Sequence, residues 1–161
     1  KRRENLYQLL TTNHQLTFGV GSVSEKIIDN INILEATKLA MVKALENLAK
    51  KYTTNLEASK FVVYFEKSSF LLIDGNFKIN SLVPQKSIIK GDQKVFSIAA
   101  ASIIAKVTRD RLMQKMHKKY PGYDFHLHKG YGSVLHIKNL QKLGPCKIHR
   151  KTFAPISGFK P

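Results

Sequence analysis

Acidic residues are scarce in this sequence. Eleven Asp and Glu face 27 Lys and Arg over 161 residues, leaving a formal net charge of +16. Cysteine is scarcer still. Cys146 stands alone, which excludes a disulfide framework and fits a reducing compartment. No apolar run approaches the ~18 residues of a membrane span, and no secretory signal opens the chain. These absences point to the cytoplasm and away from a membrane partner. A starting methionine is missing too, since the chain begins Lys1-Arg2-Arg3-Glu4 and its methionines are Met41, Met113 and Met116. That raises the expectation of a further N-terminal segment.

What is present is enough to build a core. The hydrophobic fraction is 43%, too high for a disordered polycation. The positive charge is unevenly placed: 12 bases lie between Lys106 and Lys151, against only Asp110 and Asp124. Tyr120, Tyr123, Phe125 and Tyr131 are interleaved with them. Bases mixed with aromatics suit phosphate contacts combined with stacking on bases or sugars. A solvated basic face is the plainer alternative, but so local an excess favours a nucleic-acid partner.

The pattern of apolar residues predicts one α/β domain over 1–161, with a basic helical part from about 106 onward. A short helix is expected over Arg3–Leu10, then an extended piece from Leu16 to Val20. Ser24 can cap a long helix carrying Ile27, Ile28, Leu39, Val42 and Leu45, which Asn30-Ile31-Asn32 can break in two. Phe61-Val62-Val63-Tyr64-Phe65 reads equally as a strand or a buried edge. Phe70–Ile73 and Ser87–Lys90 read as short buried strands, each running into a turn. The longest helix signal spans Val95–Tyr120, with Ile98, Ala101, Ala105, Leu112 and Met116 at helical spacing, and Pro121-Gly122 ends it. A last helix runs from a Ser133 cap to Leu143, with Ile137, Leu140 and Leu143 inward and Gly144-Pro145 as its stop.

Two of the few acids follow those strands. Asp74 and Asp92 stand at strand exits, where open α/β sheets place their ligands. Carboxylates there can hold a hard divalent cation that keeps positions open for phosphate. On spacing alone, Asp74 in Asp-Gly-Asn is equally an Asx-turn residue and Asp92 equally a helix cap. Asp110 reads as a surface ion-pair partner of Lys106 and Arg109, or as a supporting acid. Lys129-Gly130-Tyr131-Gly132 can offer a tyrosine for stacking, or can be a tight turn. His126-x-His128 with Cys146-x-x-His149 supplies a zinc-type donor set at a spacing that matches no recognised finger.

Taken in order, several of these segments resemble ribonuclease HII. They are Ile31 to Met41, Leu72-Ile73-Asp74-Gly75-Asn76, Lys90-Gly91-Asp92-Gln93-Lys94, Ile98 to Arg111, Tyr120-Pro121-Gly122-Tyr123, His128-Lys129-Gly130-Tyr131-Gly132 and Pro145 to Arg150. The resemblance covers nearly the whole chain. It implies an RNase H-like fold, an α/β arrangement with a mixed sheet flanked by helices. It also implies a monomer that hydrolyses the RNA strand of RNA–DNA hybrids and cuts at ribonucleotides embedded in duplex DNA, leaving 3′-hydroxyl and 5′-phosphate ends. The implied cofactors are Mg or Mn divalent cations held by carboxylates. By motif, Asp74 and Asp92 are catalytic metal ligands, Asp110 is a supporting acid, and Tyr131 packs on the sugar at the RNA–DNA junction. Lys129, Lys90, Lys106 and Ser102 complete the implied nucleic-acid contacts.

Three departures from the family pattern stand out. No adjacent Asp-Glu pair occurs in the 161 residues, whereas the family takes its first two acids from an Asp-Glu-Ala-Gly-Arg-Gly strand that also senses the 2′-hydroxyl. The first strands of the sheet are therefore expected to be absent from this chain, which alone should cleave weakly. The segment between Tyr52 and Lys67 is longer than usual, and Ser133 replaces a common threonine. A non-catalytic basic nucleic-acid-binding module is the alternative reading; it accounts for the charge but gives Asp74 and Asp92 no purpose.

Overall fold

A computed structural model describes residues 2–52 and 68–159. The chain divides into two compact units, Lys1–Ile104 and Ala105–Pro161. The possible strand at 61–65 lies outside the described residues.

The N-terminal unit opens with α1 (Arg2–Thr12) and α2 (Glu25–Tyr52). The break predicted in α2 falls at Asn32, whose φ of 66° and ψ of 171° leave the helix. Its side-chain oxygen accepts from the N–H groups of Leu34 and Glu35 at 2.9 and 3.1 Å, capping the second half as a new helix start. The extended stretch before α2 returns along it, and Asn47 donates from its amide to the Val20 carbonyl at 2.9 Å. A Cβ at Gly21 would sit 1.9 Å from the Ala40 carbonyl oxygen, so only glycine permits that approach.

Strands β1 (Leu71–Asp74) and β2 (Gln85–Ile88) pair in parallel, with Leu71 opposite Gln85 and Asp74 opposite Ile88. The second strand therefore begins and ends two residues earlier than its apolar pattern suggests. Lys90, at φ 55°, adopts a left-handed conformation that no strand continues through. Gln85 begins the strand because its side chain works on the β1–β2 connection: its amide accepts from the Ile79 N–H at 2.9 Å and donates to the Ile79 carbonyl at 3.0 Å. Among the described residues of this unit, Ile28, Ala36, Ile73, Ile79, Val83, Ile98 and Ile104 are the buried apolar side chains.

Helix α3 (Phe96–Lys119) has residues in both units and matches its predicted span closely. Its buried face matches the expected one only in part: Ile98 is buried and Met116 packs on the core, but Ala101, Ala105 and Leu112 are exposed while Ile104, Val107 and Met113 are buried. A helix beginning with so many alanines carries too little contrast between faces to fix its rotation from sequence. The C-terminal unit continues through α4 (Phe125–His128) and α5 (Val134–Leu143). Ser133 caps α5 as predicted, its hydroxyl accepting from the His136 N–H at 3.3 Å. His136 and Leu140 are buried on α5, whereas Leu143, expected inside, is exposed. The core here is Met113, Tyr123, Phe125 and Leu140, with Met116, Tyr120, Cys146, Ile148, Ile156 and Phe159 packed against it. Among the described residues no helix is long and apolar enough to cross a membrane.

Candidate metal and nucleic-acid site

In β1 the side chains alternate, so Ile73 is buried and Asp74 points to the exposed side with Leu72. The Asp74 carboxylate does not stay within its own turn. One oxygen accepts the Gly91 backbone N–H at 2.8 Å, a bond spanning 17 residues. Gly91 opens a 3₁₀ turn (Gly91–Gln93) that carries half-buried Asp92, so this hydrogen bond ties the end of β1 to the turn that follows β2. A Cβ on Gly91 would lie 2.7 Å from the Ile98 side chain and 3.4 Å from that Asp74 oxygen. The glycine is what lets the backbone close on the carboxylate. Lys90 is exposed at the same turn and Ser102 is half-buried on α3.

The remaining sequence candidates belong to the C-terminal unit, where Tyr131 is the best defined. Its ring is 63% exposed, yet its backbone is tied down. The Tyr131 N–H donates to the His128 carbonyl at 2.9 Å, and its carbonyl accepts from Ser133 N–H at 2.8 Å and from His136 Nδ1 at 2.9 Å. Arg109 donates to the Lys129 carbonyl at 3.2 Å and holds its guanidinium 5.7 Å from the Tyr131 ring centre. Arg109 thus reaches the Lys129–Tyr131 loop. Lys129 itself donates from its ammonium to the His126 carbonyl. Lys106 is exposed on α3, and Asp110 is half-buried there.

Behind Tyr131 runs a chain of imidazoles that the sequence did not reveal. Cys146 N–H donates to His149 Nδ1 at 2.9 Å, which makes Nδ1 an acceptor and puts the proton of neutral His149 on Nε2. That Nε2 faces His136 Nε2 at 3.3 Å, and His136 Nδ1 then donates to the Tyr131 carbonyl. His128 stacks on His136 with ring centres 4.1 Å apart, takes the Gly130 N–H on Nδ1 and donates from Nε2 to the Tyr123 carbonyl at 2.7 Å. The N–H bonds taken by His149 Nδ1 and His128 Nδ1 require those ring nitrogens to be unprotonated. Burial pushes His149 below the usual imidazole range, helped by the His136 ring, and burial does the same to His128. Burial also pushes the Cys146 thiol and the Tyr123 phenol up, keeping both protonated, and the phenol donates to the Gly144 carbonyl at 2.6 Å.

The zinc-type set suggested by spacing is thus divided. Cys146 and His149 adjoin, with Sγ 3.2 Å from Nδ1, and His128 stacks beside them on His136. His126 instead faces His117, their ring centres 3.8 Å apart.

The ribonuclease HII family pattern matches residues 1–156. The chain belongs to the ribonuclease HII family. It is 48% identical over 156 residues to a ribonuclease HII of Chlamydia muridarum, covering 97% of this chain and 64% of that protein. A ribonuclease HII of Chlamydia trachomatis serovar A is 47% identical over the same shares of the two chains. One from Desulfotalea psychrophila is 43% identical over 159 residues, 99% of this chain and 64% of its own. The chain thus spans a little under two thirds of the length of these relatives. Its helices and parallel strand pair accord with the α/β, RNase H-like architecture expected of the family.

Proposed function

We propose that this ribonuclease HII chain serves a divalent-metal-dependent endonuclease, one that cuts the RNA strand of RNA–DNA hybrids and ribonucleotides embedded in duplex DNA. It acts as a cytoplasmic monomer and leaves 3′-hydroxyl and 5′-phosphate ends. The observation that carries this reading is the Gly91 N–H bond to Asp74, which ties the carboxylate at the end of one strand to the turn that carries Asp92. Asp92 follows Gly91 directly in the chain, so two of only 11 acids fall at this turn.

The donors fit Mg or Mn. Both are hard carboxylate oxygens, and the Gly91 bond occupies one lone pair of Asp74 while leaving the rest of an exposed carboxylate available. Asp74 and Asp92 would hold the cation, and when bound it would supply an activated water and charge neutralisation for the departing 3′ oxygen. Gly91 fixes the orientation of Asp74, so the carboxylate need not reorganise on meeting substrate. Lys90 and Ser102, on the same unit, are placed to meet phosphate oxygens. In the C-terminal unit Lys106 and Lys129 add phosphate contacts, with Asp110 in support. Tyr131 offers its exposed ring to a sugar or base while its backbone stays clamped.

The test is cleavage of an RNA–DNA hybrid, and of duplex DNA holding one ribonucleotide, by the full-length protein with Mg or Mn. Asp74→Asn should reduce cutting to background while leaving hybrid binding largely intact. Cutting that survives Asp74→Asn would refute the metal assignment. Hybrid binding with no metal-dependent cutting by the unaltered protein would instead favour a basic binding module.

A further inference from the structure

A second cluster of ligand atoms lies in the C-terminal unit, apart from every residue used above for hydrolysis. His117 comes from the last turn of α3, and His126 from α4. Asp124 sits in the left-handed position between the Pro121–Tyr123 turn and α4, at φ 55°. One ligand atom from each of the three lies within 4.8 Å of the others, and among the described residues no other group of three His, Cys, Asp or Glu does this.

An independent observation falls on the same residues. Buried polar atoms are as a rule hydrogen-bonded. Among the described residues the buried side-chain nitrogens and oxygens without a hydrogen-bond partner are His117 Nδ1 and His126 Nδ1. Both belong to this cluster, on rings whose centres lie 3.8 Å apart at a 39° tilt. Two imidazoles with unused nitrogens beside a carboxylate lack something that accepts lone pairs from all three. Asn139 donates to Asp124 Oδ2 at 3.1 Å, orienting the carboxylate as the outer partners of metal ligands do.

We propose that His117, Asp124 and His126 form a zinc site. Two imidazole nitrogens and one carboxylate oxygen suit a borderline ion such as Zn²⁺ better than Mg²⁺ or Mn²⁺, which prefer oxygen alone. All three side chains are half-buried, which leaves room for a water as the fourth ligand. The ion ties the end of α3 to the turn that follows it, across Pro121-Gly122. Its effect is on the stability of the C-terminal unit, and it is independent of the cation that Asp74 and Asp92 would hold.

The experiment strips the full-length protein with a chelator, then titrates Zn²⁺ by calorimetry and Co²⁺ by visible absorption. In Asp74→Asn/Asp92→Asn, which removes the other proposed cation site, one equivalent should bind, raise the melting temperature and give Co²⁺ d–d bands without a thiolate charge-transfer band. Binding should weaken at least tenfold in His117→Asn and in His126→Asn, and persist in Asp74→Asn/Asp92→Asn and in Cys146→Ser. Imidazole NMR of the unaltered protein makes the result independent of how the variants fold: zinc should move the His117 and His126 ring signals most. The site is overturned by absence of one-equivalent binding, by a thiolate band, by unchanged affinity in both His variants, or by ring signals that move elsewhere instead.

Discussion

The two units hold their polar groups in contrasting ways. The N-terminal unit orients one charged carboxylate with one backbone N–H, and a glycine makes the approach possible. The C-terminal unit uses no carboxylate for its central network. It passes hydrogen bonds from Cys146 through His149 and His136 to the Tyr131 carbonyl, all between neutral groups. The difference fits what each is proposed to present. A cation site needs accessible negative oxygens, so its support is minimal and peripheral. A stacking tyrosine needs a rigid backbone under an exposed ring, so its support is buried, and burial favours uncharged imidazole over ionised side chains.

The contrast breaks most severely at Phe125. This ring is 2% exposed and lies within 5.7 Å, centre to centre, of the rings of His128, His136 and His149, with Tyr123 stacked at 5.3 Å. Phe125→Ala should cost about 3–5 kcal/mol of stability, read as a lower denaturation midpoint in urea. Phe125→Leu, which keeps most of the volume, should cost much less; equal losses would mean the ring does not organise the imidazoles. In the N-terminal unit the corresponding change is Gly91→Ala, which drives a Cβ into buried Ile98. Overpacking of this kind costs about 1–3 kcal/mol. Because the displaced backbone also carries the Asp74 bond, Mn-dependent cleavage should fall further than stability alone explains. Unchanged cleavage in a folded Gly91→Ala protein would show that this hydrogen bond is dispensable.

A smaller effect separates the units by pH. The folded His149 titrates below the ordinary imidazole value, from burial first and the His136 ring second. Above about pH 6.5 the ring is neutral in folded and unfolded chains alike. As pH falls through that value and on toward the lower folded one, the unfolded chain takes up the proton first and stability is lost. The melting temperature should therefore drop between pH 7.5 and 5, and His149→Gln should flatten that drop. An equally steep drop in His149→Gln would place the sensitivity elsewhere.

How much of this was legible in the sequence depended on whether the signal was local. The cap at Ser133, the break at Asn32 and the exits at Asp74 and Asp92 are local chemistry, written in a few consecutive residues. The rotation of α3 was not legible, because Ala99-Ala100-Ala101 give no contrast between faces. Gln85 looked like loop because its polar side chain serves Ile79, six residues away. The imidazole chain was hidden for the same reason: His136 and His149 stand 13 residues apart and meet only in the folded unit. His126 and His128 show the converse, since two residues of separation in one short helix sent them to different clusters.

The finest test of the comparison is Arg109, a charged side chain that braces the tyrosine loop from α3. Its guanidinium donates to the Lys129 carbonyl and lies near the Tyr131 ring. Lysine keeps the charge but cannot both fork to a carbonyl and lie flat against a ring. Arg109→Lys should therefore weaken hybrid binding only about two- to fivefold, the scale of one exposed cation–π contact. Fluorescence anisotropy over a salt series separates the causes. If Arg109 positions Tyr131, the salt slope stays the same because no phosphate contact is lost. A slope smaller by about one would mean that Arg109 touches phosphate instead. In a Tyr131→Ala background the lysine change should add almost nothing, because the ring whose placement it disturbs is already gone.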